Sequence, residues 1–248
     1  MEYKPEYKKV KVISNEPVGR DVFMLALDFR DDIKPGMFYM MRFADGSPLL
    51  GRPLSVCRAD AYMEFCYVVV GPGTRKLSEL TAGGGVYALG PLGNGFDIPG
   101  SAGRIAIVSG GIGIAPFVEL AARLSRDRAK IIDGYFGFAS EPYLLDRFDN
   151  MGIQKYVSTD DGCAGHKGFI TEILDAGRYD LVTACGPEPF LKAVARMCAA
   201  GGTPSLLSLD RHMACGVGAC LVCVCMTVSG NKRVCKDGPV FSGSELIL

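Results

Sequence analysis

Four cysteines near the C-terminus, Cys215, Cys220, Cys223 and Cys235, stand at the spacing C-x4-C-x2-C-x11-C. The first three match the plant-type spacing at which thiolates hold a [2Fe–2S] cluster. The residues between them suit that task. Gly216 and Gly218 can take positive φ without steric cost, which lets the chain wrap a cluster and aim N–H groups at its sulfurs. Ala214 and Ala219 leave room for an inorganic core. A structural zinc site also uses four thiolates, but it favours two separated C-x2-C knuckles, and only Cys220 and Cys223 form one. The chemistry expected here is electron transfer. A further thiol, Cys225, follows two residues after Cys223 and reads as a buried bystander.

Two other groups of residues are able to bind phosphates. In Arg52-Pro53-Leu54-Ser55 the arginine can fork onto a pyrophosphate, and the serine can hydrogen-bond a flavin ring nitrogen. Alone, the tetrapeptide also fits an edge strand with an exposed arginine. Gly71-Pro72-Gly73-Thr74 follows, with Thr74 as the expected N-cap of a short helix over 75–80. Further on, Gly110-Gly111-Ile112-Gly113-Ile114-Ala115-Pro116 links a strand to a helix. It is not G-x-G-x-x-G, because Pro116 holds the third glycine's place, but proline is tolerated in a first helical turn. Cys185-Gly186-Pro187 repeats the pattern after a later strand, and Thr159-Asp160-Asp161-Gly162 is a third loop that could line the same crevice. Phe138-Ala139-Ser140-Glu141 offers no arginine for a 2′-phosphate, which favours NAD over NADP.

The elements that must position these groups fall into three sections. Strand-like runs at 9–14, 21–28, 36–43, 52–58, 62–70 and 86–90, divided by glycine and proline turns, predict a small antiparallel barrel. Gly90-Pro91-Leu92-Gly93-Asn94-Gly95-Phe96 reads as a rigid turn leaving it, and the boundary falls near residue 100. From 104 the pattern alternates. Strands are expected at 104–108, 130–138, 153–157, 179–184 and 203–208, and helices at 116–126, 141–150, 168–176 and 187–200. Such alternation predicts a parallel sheet that binds ligands at the carboxyl ends of its strands. The division expected is 1–100 for the barrel, 101–208 for the α/β domain and 209–248 for the cysteine segment.

Composition sets the limits. Apolar residues make up 48%, ample for packed cores, and 27 basic against 27 acidic residues leave no electrostatic footprint for nucleic acid. Ten cysteines without an apolar signal core in Met1-Glu2-Tyr3-Lys4-Pro5-Glu6 read as reduced thiols and metal ligands in a cytoplasm. The apolar run from Ile105 to Ala122 approaches membrane-spanning length, but its glycines, Pro116 and Glu119 make it a strand–turn–helix unit, so no membrane span is expected.

Taken together, Arg52 to Ser55, Gly73-Thr74, Gly90 to Phe96, Gly110 to Pro116, Thr159 to Gly162, Cys185 to Pro187 and Met213 to Cys223 resemble the electron-transfer subunits of type B dihydroorotate dehydrogenases, within the ferredoxin-reductase superfamily. The stretch Val234 to Phe241 extends the likeness, which runs over nearly the whole chain. The resemblance implies FAD on the barrel, NAD(H) on the α/β domain and [2Fe–2S] on the cysteines. By that likeness the flavin contacts are Arg52, Pro53, Leu54, Ser55, Cys66, Tyr67, Val68, Gly73 and Thr74, with Val68 departing from an arginine common in the family. The nicotinamide contacts are Gly110, Gly111, Gly113, Cys185, Gly186 and Pro187, and the cluster ligands are Cys215, Cys220, Cys223 and Cys235.

The implied partner is an FMN-containing catalytic subunit that interconverts dihydroorotate and orotate, in a heterotetramer of two of each. Arg211, Lys232, Arg233 and Lys236 are the expected docking charges. With two histidines, His166 and His212, and no nucleophile motif, no acid–base or covalent catalyst is expected. Two alternatives remain open at this level. One is the small subunit of another NAD(P)H- or ferredoxin-linked oxidoreductase; the other is a zinc-stabilised, non-catalytic nucleotide-binding module.

Overall fold

The computed structural model describes residues 4–248. The part of the signal-core reading that rests on residues 1–3 lies outside them. Strands β1 (Glu6–Gly19), β2 (Val22–Leu27), β3 (Phe38–Arg42), β4 (Arg52–Ala59) and β5 (Met63–Val68) precede a short helix, α1 (Pro72–Ser78), and β6 (Gly85–Leu92). They close into an antiparallel barrel in the order β1-β2-β5-β4-β3-β6. The alternation in Lys9-Val10-Lys11-Val12 works as expected: the valines are buried and Lys9 and Lys11 face water. Inside the barrel Tyr39, Phe65, Leu25 and Val56 pack with no measurable exposure.

The second unit begins with β7 (Arg104–Gly110), a 3₁₀ turn over Gly111–Ile114, and helix α2 (Ala115–Leu124). Then come β8 (Ile131–Phe138), β9 (Gln154–Thr159), the short β10 (His166–Lys167), β11 (Leu181–Cys185), helix α3 (Glu188–Gly201) and β12 (Ser205–Ser208). Two expected helices are absent. The run 141–150 yields only a 3₁₀ turn at Leu145–Phe148, and 168–176 only one at Ile170–Ile173. Pro142 and the left-handed φ of Leu144, +61°, prevent the first from starting as an α-helix. Gly168 at φ +129° and Gly177 close behind bracket the second too tightly for α turns.

The cysteine segment supplies a hairpin, β13 (Val224–Thr227) and β14 (Gly230–Arg233), a single turn of helix, α4 (Val234–Asp237), and a last strand, β15 (Val240–Ser242). β15 does not stay with the hairpin. It joins the main sheet, whose order is β10-β9-β8-β7-β11-β12-β15, and pairs antiparallel with β12. The other neighbours in this sheet are parallel.

Chain order reverses between β7 and β11. From β7 the strands step outward to β8 and β9, and the chain then returns to the other side of β7 at β11. Such a switch point opens a crevice at the strands' carboxyl ends. Helix α2 lies between sheet and barrel and is buried all round except at Arg123. Phe117 and Ala121 have no exposure and share one core with Cys57 and Cys66 of the barrel. At about 1.5–3 kcal/mol for a buried Phe side chain, this seam is a core and not a hinge. Glu119, buried in the same seam, accepts hydrogen bonds from Ala59 N (3.0 Å) and Arg123 Nε (2.7 Å) and lies 3.6 Å from Arg58 Nη1. Glu64 and Arg147 form a second ion pair across it.

Candidate cofactor sites

The cluster loop rests on the barrel wall. Gly216 takes φ +77°, and a Cβ there would come 2.6 Å from Met40 Cγ of β3. Gly218 takes φ +81°, and a Cβ there would come 2.9 Å from Lys236 Cβ. Both glycines are therefore required twice, by conformation and by approach. The freed N–H groups turn to sulfur. Val217 N donates to Cys215 Sγ at 3.4 Å, Gly218 N to Cys235 Sγ at 3.1 Å, and Cys235 N to Cys223 Sγ at 3.4 Å. Burial pushes the Cys215 thiol up, but the N–H groups of Cys220, Val217 and Ala219 and the Cys220 side chain outweigh it and bring its pKa down to about 6. Burial and the adjoining Cys223 push Cys235 up to about 12. A metal entering the site has to displace that proton, the usual coupling of metal binding to thiol ionisation.

Among the described residues no three His, Cys, Asp or Glu side chains are grouped as a single ion requires. Cys215 interacts with Cys220, and Cys235 most strongly with Cys223 and also with Cys215. Four thiols joined in this way can hold a cluster of two irons, two sulfurs to each. Cys220 is exposed and Cys223 is buried, so one pair faces solvent and the other the core. Cys225 lies buried beside Cys223, as its place in a strand predicts.

Several residues that hold this loop carry no motif. Arg42 of β3 donates from Nη2 to Ala214 O (3.2 Å) and from Nη1 to Leu49 O (3.1 Å). Arg233 donates to both carboxylate oxygens of Asp237 at 3.0 Å and to Gly218 O at 3.3 Å. The turn after β6 is more than a linker. Asn94 Nδ2 donates to Asp237 O and Val240 O, and its Oδ1 accepts from Val240 N. A cleft of about 330 Å³ between this turn and the cluster loop is lined by Lys34, Asn94, Gly216, Cys235 and Lys236. Pairs so distant in sequence leave no local signature.

On the barrel, Arg52 and Gly73 meet. A Cβ at Gly73 would sit 2.2 Å from Arg52 Nη1, so the glycine is what lets the guanidinium cover the start of α1. Thr74 is not the N-cap expected from sequence. The cap is Gly71, and Thr74 stands at the third helical position, where its Oγ1 accepts from Val70 N (2.9 Å) and Gly71 N (3.1 Å). Pro72 fits the first turn, which moves the helix start upstream. Within Arg52 to Ser55, Leu54 points into the barrel and Arg52, Pro53 and Ser55 are only half-buried. In β5, Tyr67 is a core side chain whose hydroxyl donates to Asn15 Oδ1. Cys66 faces the seam with the α/β domain, with Val68 packed against it. For Leu54 and Tyr67, only backbone atoms remain for a ligand outside the barrel.

At the switch point the two glycine turns touch. A Cβ at Gly113 would come 2.1 Å from Cys185 O, and one at Gly186 would come 3.0 Å from Gly110 N. Pro187 Cδ lies 3.1 Å from the corresponding position on Gly110. Backbone therefore approaches backbone where a pyrophosphate would be cradled. Ser109 Oγ, wholly buried one residue before Gly110, has no hydrogen-bond partner among the described residues. Tyr143, from the stretch that failed to become a helix, stands over Gly111, its hydroxyl 3.8 Å from the place of a Cβ. At the crevice rim Ser140 Oγ donates to Asp161 Oδ2 (2.7 Å). That bond, then the Cys163 N–H, hold the Asp161 carboxyl at about 2.

A closed antiparallel barrel, a parallel sheet with glycine turns at its switch point, and a paired set of thiols between them define a reductase of the ferredoxin–NADP reductase type with an added iron–sulfur segment. Solved structures agree. One of an NADH-dependent reduced ferredoxin–NADP oxidoreductase superposes with a TM-score of 0.87 at 27% identity, over 96% of this chain and 89% of that one. A ferredoxin–NADP⁺ reductase from Neisseria gonorrhoeae gives 0.68 at 16% identity, over 79% and 92%, a likeness of fold alone. Residues 210–247 match the iron–sulfur cluster binding domain of dihydroorotate dehydrogenase B. The electron transfer subunit of dihydroorotate dehydrogenase B (NAD(+)) from Clostridium perfringens is 45% identical over 97% of this chain and 98% of its own length. That of Clostridium acetobutylicum is 42% identical over 99% of each.

The chain belongs to the family of dihydroorotate dehydrogenase B electron transfer subunits. It is a subunit of a redox enzyme, and the carriers of such a chain are FAD, a [2Fe–2S] cluster and NAD(H). Among the described residues no helix is long and apolar enough to cross a membrane.

Proposed function

We propose that this chain conducts electrons between NAD(H) and the FMN of a dihydroorotate-oxidising catalytic subunit. The observation that carries the reading is that the glycine-turn crevice and the cysteine loop both border the barrel. The crevice of Gly110–Gly113 and Cys185–Pro187 opens beside the α2–barrel seam, and the cysteine loop seats Gly216 on the barrel wall at Met40. When bound, FAD divides the two-electron hydride of NADH into the single electrons that a [2Fe–2S] cluster accepts. The chain's own work is to bind and align.

Arg52 supplies a forked cation for the flavin pyrophosphate, held over α1 by Gly73, while Thr74 ties down the turn before it. Ser55 offers a hydroxyl to the flavin ring, and Pro53, Cys66 and Val68 form the wall behind it. Leu54 and Tyr67 contribute backbone groups. Gly110, Gly111, Gly113, Gly186 and Pro187 leave room for the nicotinamide dinucleotide, with Cys185 at the end of β11 beside it. Cys215, Cys220, Cys223 and Cys235 ligate the cluster. Asp161 and Glu141 at the rim oppose a 2′-phosphate, in favour of NADH over NADPH. No side chain has to exchange a proton with substrate.

The functional division follows 1–100 for flavin, 101–208 for nicotinamide and 209–248 for the cluster. The assembly is a heterotetramer of two electron-transfer and two catalytic subunits in the cytoplasm. The test is the visible and electron paramagnetic resonance spectrum of anaerobically purified protein, before and after NADH. Flavin and sulfur-to-iron bands bleached by NADH, with a reduced [2Fe–2S] signal, are expected. A colourless protein holding one zinc would overturn the reading.

A further inference from the structure

Tyr143 lies in the stretch between β8 and β9 that starts no α-helix, next to Leu144 at its left-handed φ. Its ring is built into the seam between the two domains. It packs edge-on against Phe138, the last residue of β8, with ring centroids 5.0 Å apart. Its Cβ and Cδ1 both lie 3.5 Å from the place a Cβ would take on Gly19, at the end of β1. Its hydroxyl lies 3.8 Å from the corresponding place on Gly111, in the first glycine turn. One side chain therefore meets the sheet, the barrel and the switch point. The segment that carries it is pinned as well. Arg147 pairs with Glu64 of β5, and Lys155 Nζ of β9 donates to Leu145 O at 3.1 Å. A group so supported keeps a fixed position relative to both domains.

The tip of the ring differs from its body. Tyr143 Oη has no hydrogen-bond partner among the described residues, yet it is not one of the sealed polar atoms that lack one, so it reaches solvent. A tyrosine hydroxyl on a buried ring ordinarily finds a partner within the protein. Nearby polar side chains at the carboxyl ends of the strands are committed. Ser140 Oγ donates to Asp161, and Thr159 Oγ1 accepts from Ala164 N and donates to Ala164 O. Burial, then the nearby Cys66, hold the phenol above its ordinary value, so it keeps its proton and serves as a donor. Beside it is the glycine turn that leads into α2, the kind of strand–turn–helix junction at which phosphates bind.

We infer that Tyr143 binds the nicotinamide dinucleotide directly, its hydroxyl donating to the pyrophosphate that lies on the Gly110–Gly113 turn. Because the ring is wedged against Gly19, that hydrogen bond registers the nucleotide against the barrel as well as against the sheet. This deepens the proposed function and rests on it.

The test is isothermal titration calorimetry on anaerobically purified, cofactor-loaded protein, wild type against Tyr143→Phe, with ADP-ribose and with adenosine. Phenylalanine keeps the ring in its seat and removes only the oxygen. Expected is a weakening of ADP-ribose binding by about tenfold or more, the worth of one hydrogen bond to a charged group. Adenosine, which lacks the pyrophosphate, should bind both proteins alike or neither. Tm and flavin content should stay unchanged. In NADH-driven reduction of ferricyanide, KM should rise about tenfold with kcat kept, the pattern of lost uniform binding. Unchanged ADP-ribose affinity overturns the inference, and so does adenosine binding that weakens in parallel. A loss of affinity that comes only with a fallen Tm also overturns it, because the hydroxyl is then structural. In each of these cases wild-type protein still binds ADP-ribose and is reduced by NADH. If the wild type does neither, the functional reading itself falls, and the role of Tyr143 with it.

Discussion

Alanine in place of Gly113 isolates a single contact, the touch of the two glycine turns at the switch point. Gly113 does not have positive φ, so the backbone tolerates alanine, and the whole effect comes from one methyl group. That methyl would lie 2.1 Å from Cys185 O, 2.5 Å from Cys185 C and 2.9 Å from Gly186 N. All three are backbone atoms of a strand end and cannot rotate away. The turns must part by about 1 Å to restore ordinary contact. An insertion of this size into a packed interior costs about 1–3 kcal/mol of stability. For a chain of this length that lowers Tm by roughly 3–10 °C.

The same displacement misplaces the nicotinamide, and about 1 Å at a positioning contact is enough for about a 10²-fold loss in kcat/KM. NADH-dependent ferricyanide reduction by the purified chain, with FAD and iron content measured on the same sample, checks it. Gly111→Ala is the informative contrast. Its φ is +55° but its Cβ would meet only Tyr143 Oη at 3.8 Å, so its cost is backbone strain of about 1 kcal/mol with little displacement. Gly100→Ala, with nothing within 4 Å, should be silent. If Gly113→Ala keeps wild-type Tm and KM while Gly111→Ala does not, the close approach of the two turns is irrelevant to binding and the reasoning is refuted.

Three further outcomes are expected. Arg52→Ala should release FAD during gel filtration while the cluster absorption stays, and Gly73→Val, which forces the guanidinium aside, should do the same; retention of full flavin by both counts against the barrel site. Glu119→Ala leaves Arg58 and Arg123 without their shared carboxylate and Ala59 N without an acceptor. A loss of about 2–4 kcal/mol in chemical denaturation is expected, most of it from orphaned partners. Asp161, whose folded pKa of about 2 lies below the unfolded value near 3.9, contributes stability fully present above about pH 4 and lost as pH falls through 2. Ser140→Ala should raise that pKa in a carboxyl-carbon NMR titration, and an unchanged value would show that the Ser140 hydrogen bond does not hold the carboxylate.

What the sequence makes legible is what repeats or alternates locally. Lys-Val-Lys-Val fixes the face of β1, and six such runs between glycine turns are enough to foresee the barrel. The cysteine spacing identifies the cluster segment because its thiols lie close together in sequence, apart from Cys235. The glycine turns after β7 and β11 are readable for the same reason. The errors come where backbone detail beats composition. Leu144 at positive φ stops a helix whose residue types favour one, and Thr74 caps from inside its helix because Pro72 starts it earlier. Long-range partners leave no trace at all. Arg42 holding Ala214, Asn94 holding Val240, and Glu119 holding Ala59 join residues whose neighbours in the chain say nothing of one another.

The return of β15 to the main sheet gives the cysteine segment a particular topological status. β12 ends at Ser208 and β15 begins at Val240, and these two residues face each other as strand partners, with Leu209 N bonded to Pro239 O just beyond. The whole cysteine segment is thus a detour made between two neighbouring strands of a hairpin. The ends of that detour are held together by the sheet whether or not metal is present, so ordering the segment carries no separate entropy of loop closure. Local loosening of the segment, for loading or repair of a cluster, can proceed from a closed base while the sheet and barrel stay intact. The segment is thus rooted in the sheet by two backbone strands and seated against the barrel by the side chains of Met40, Arg42 and Asn94.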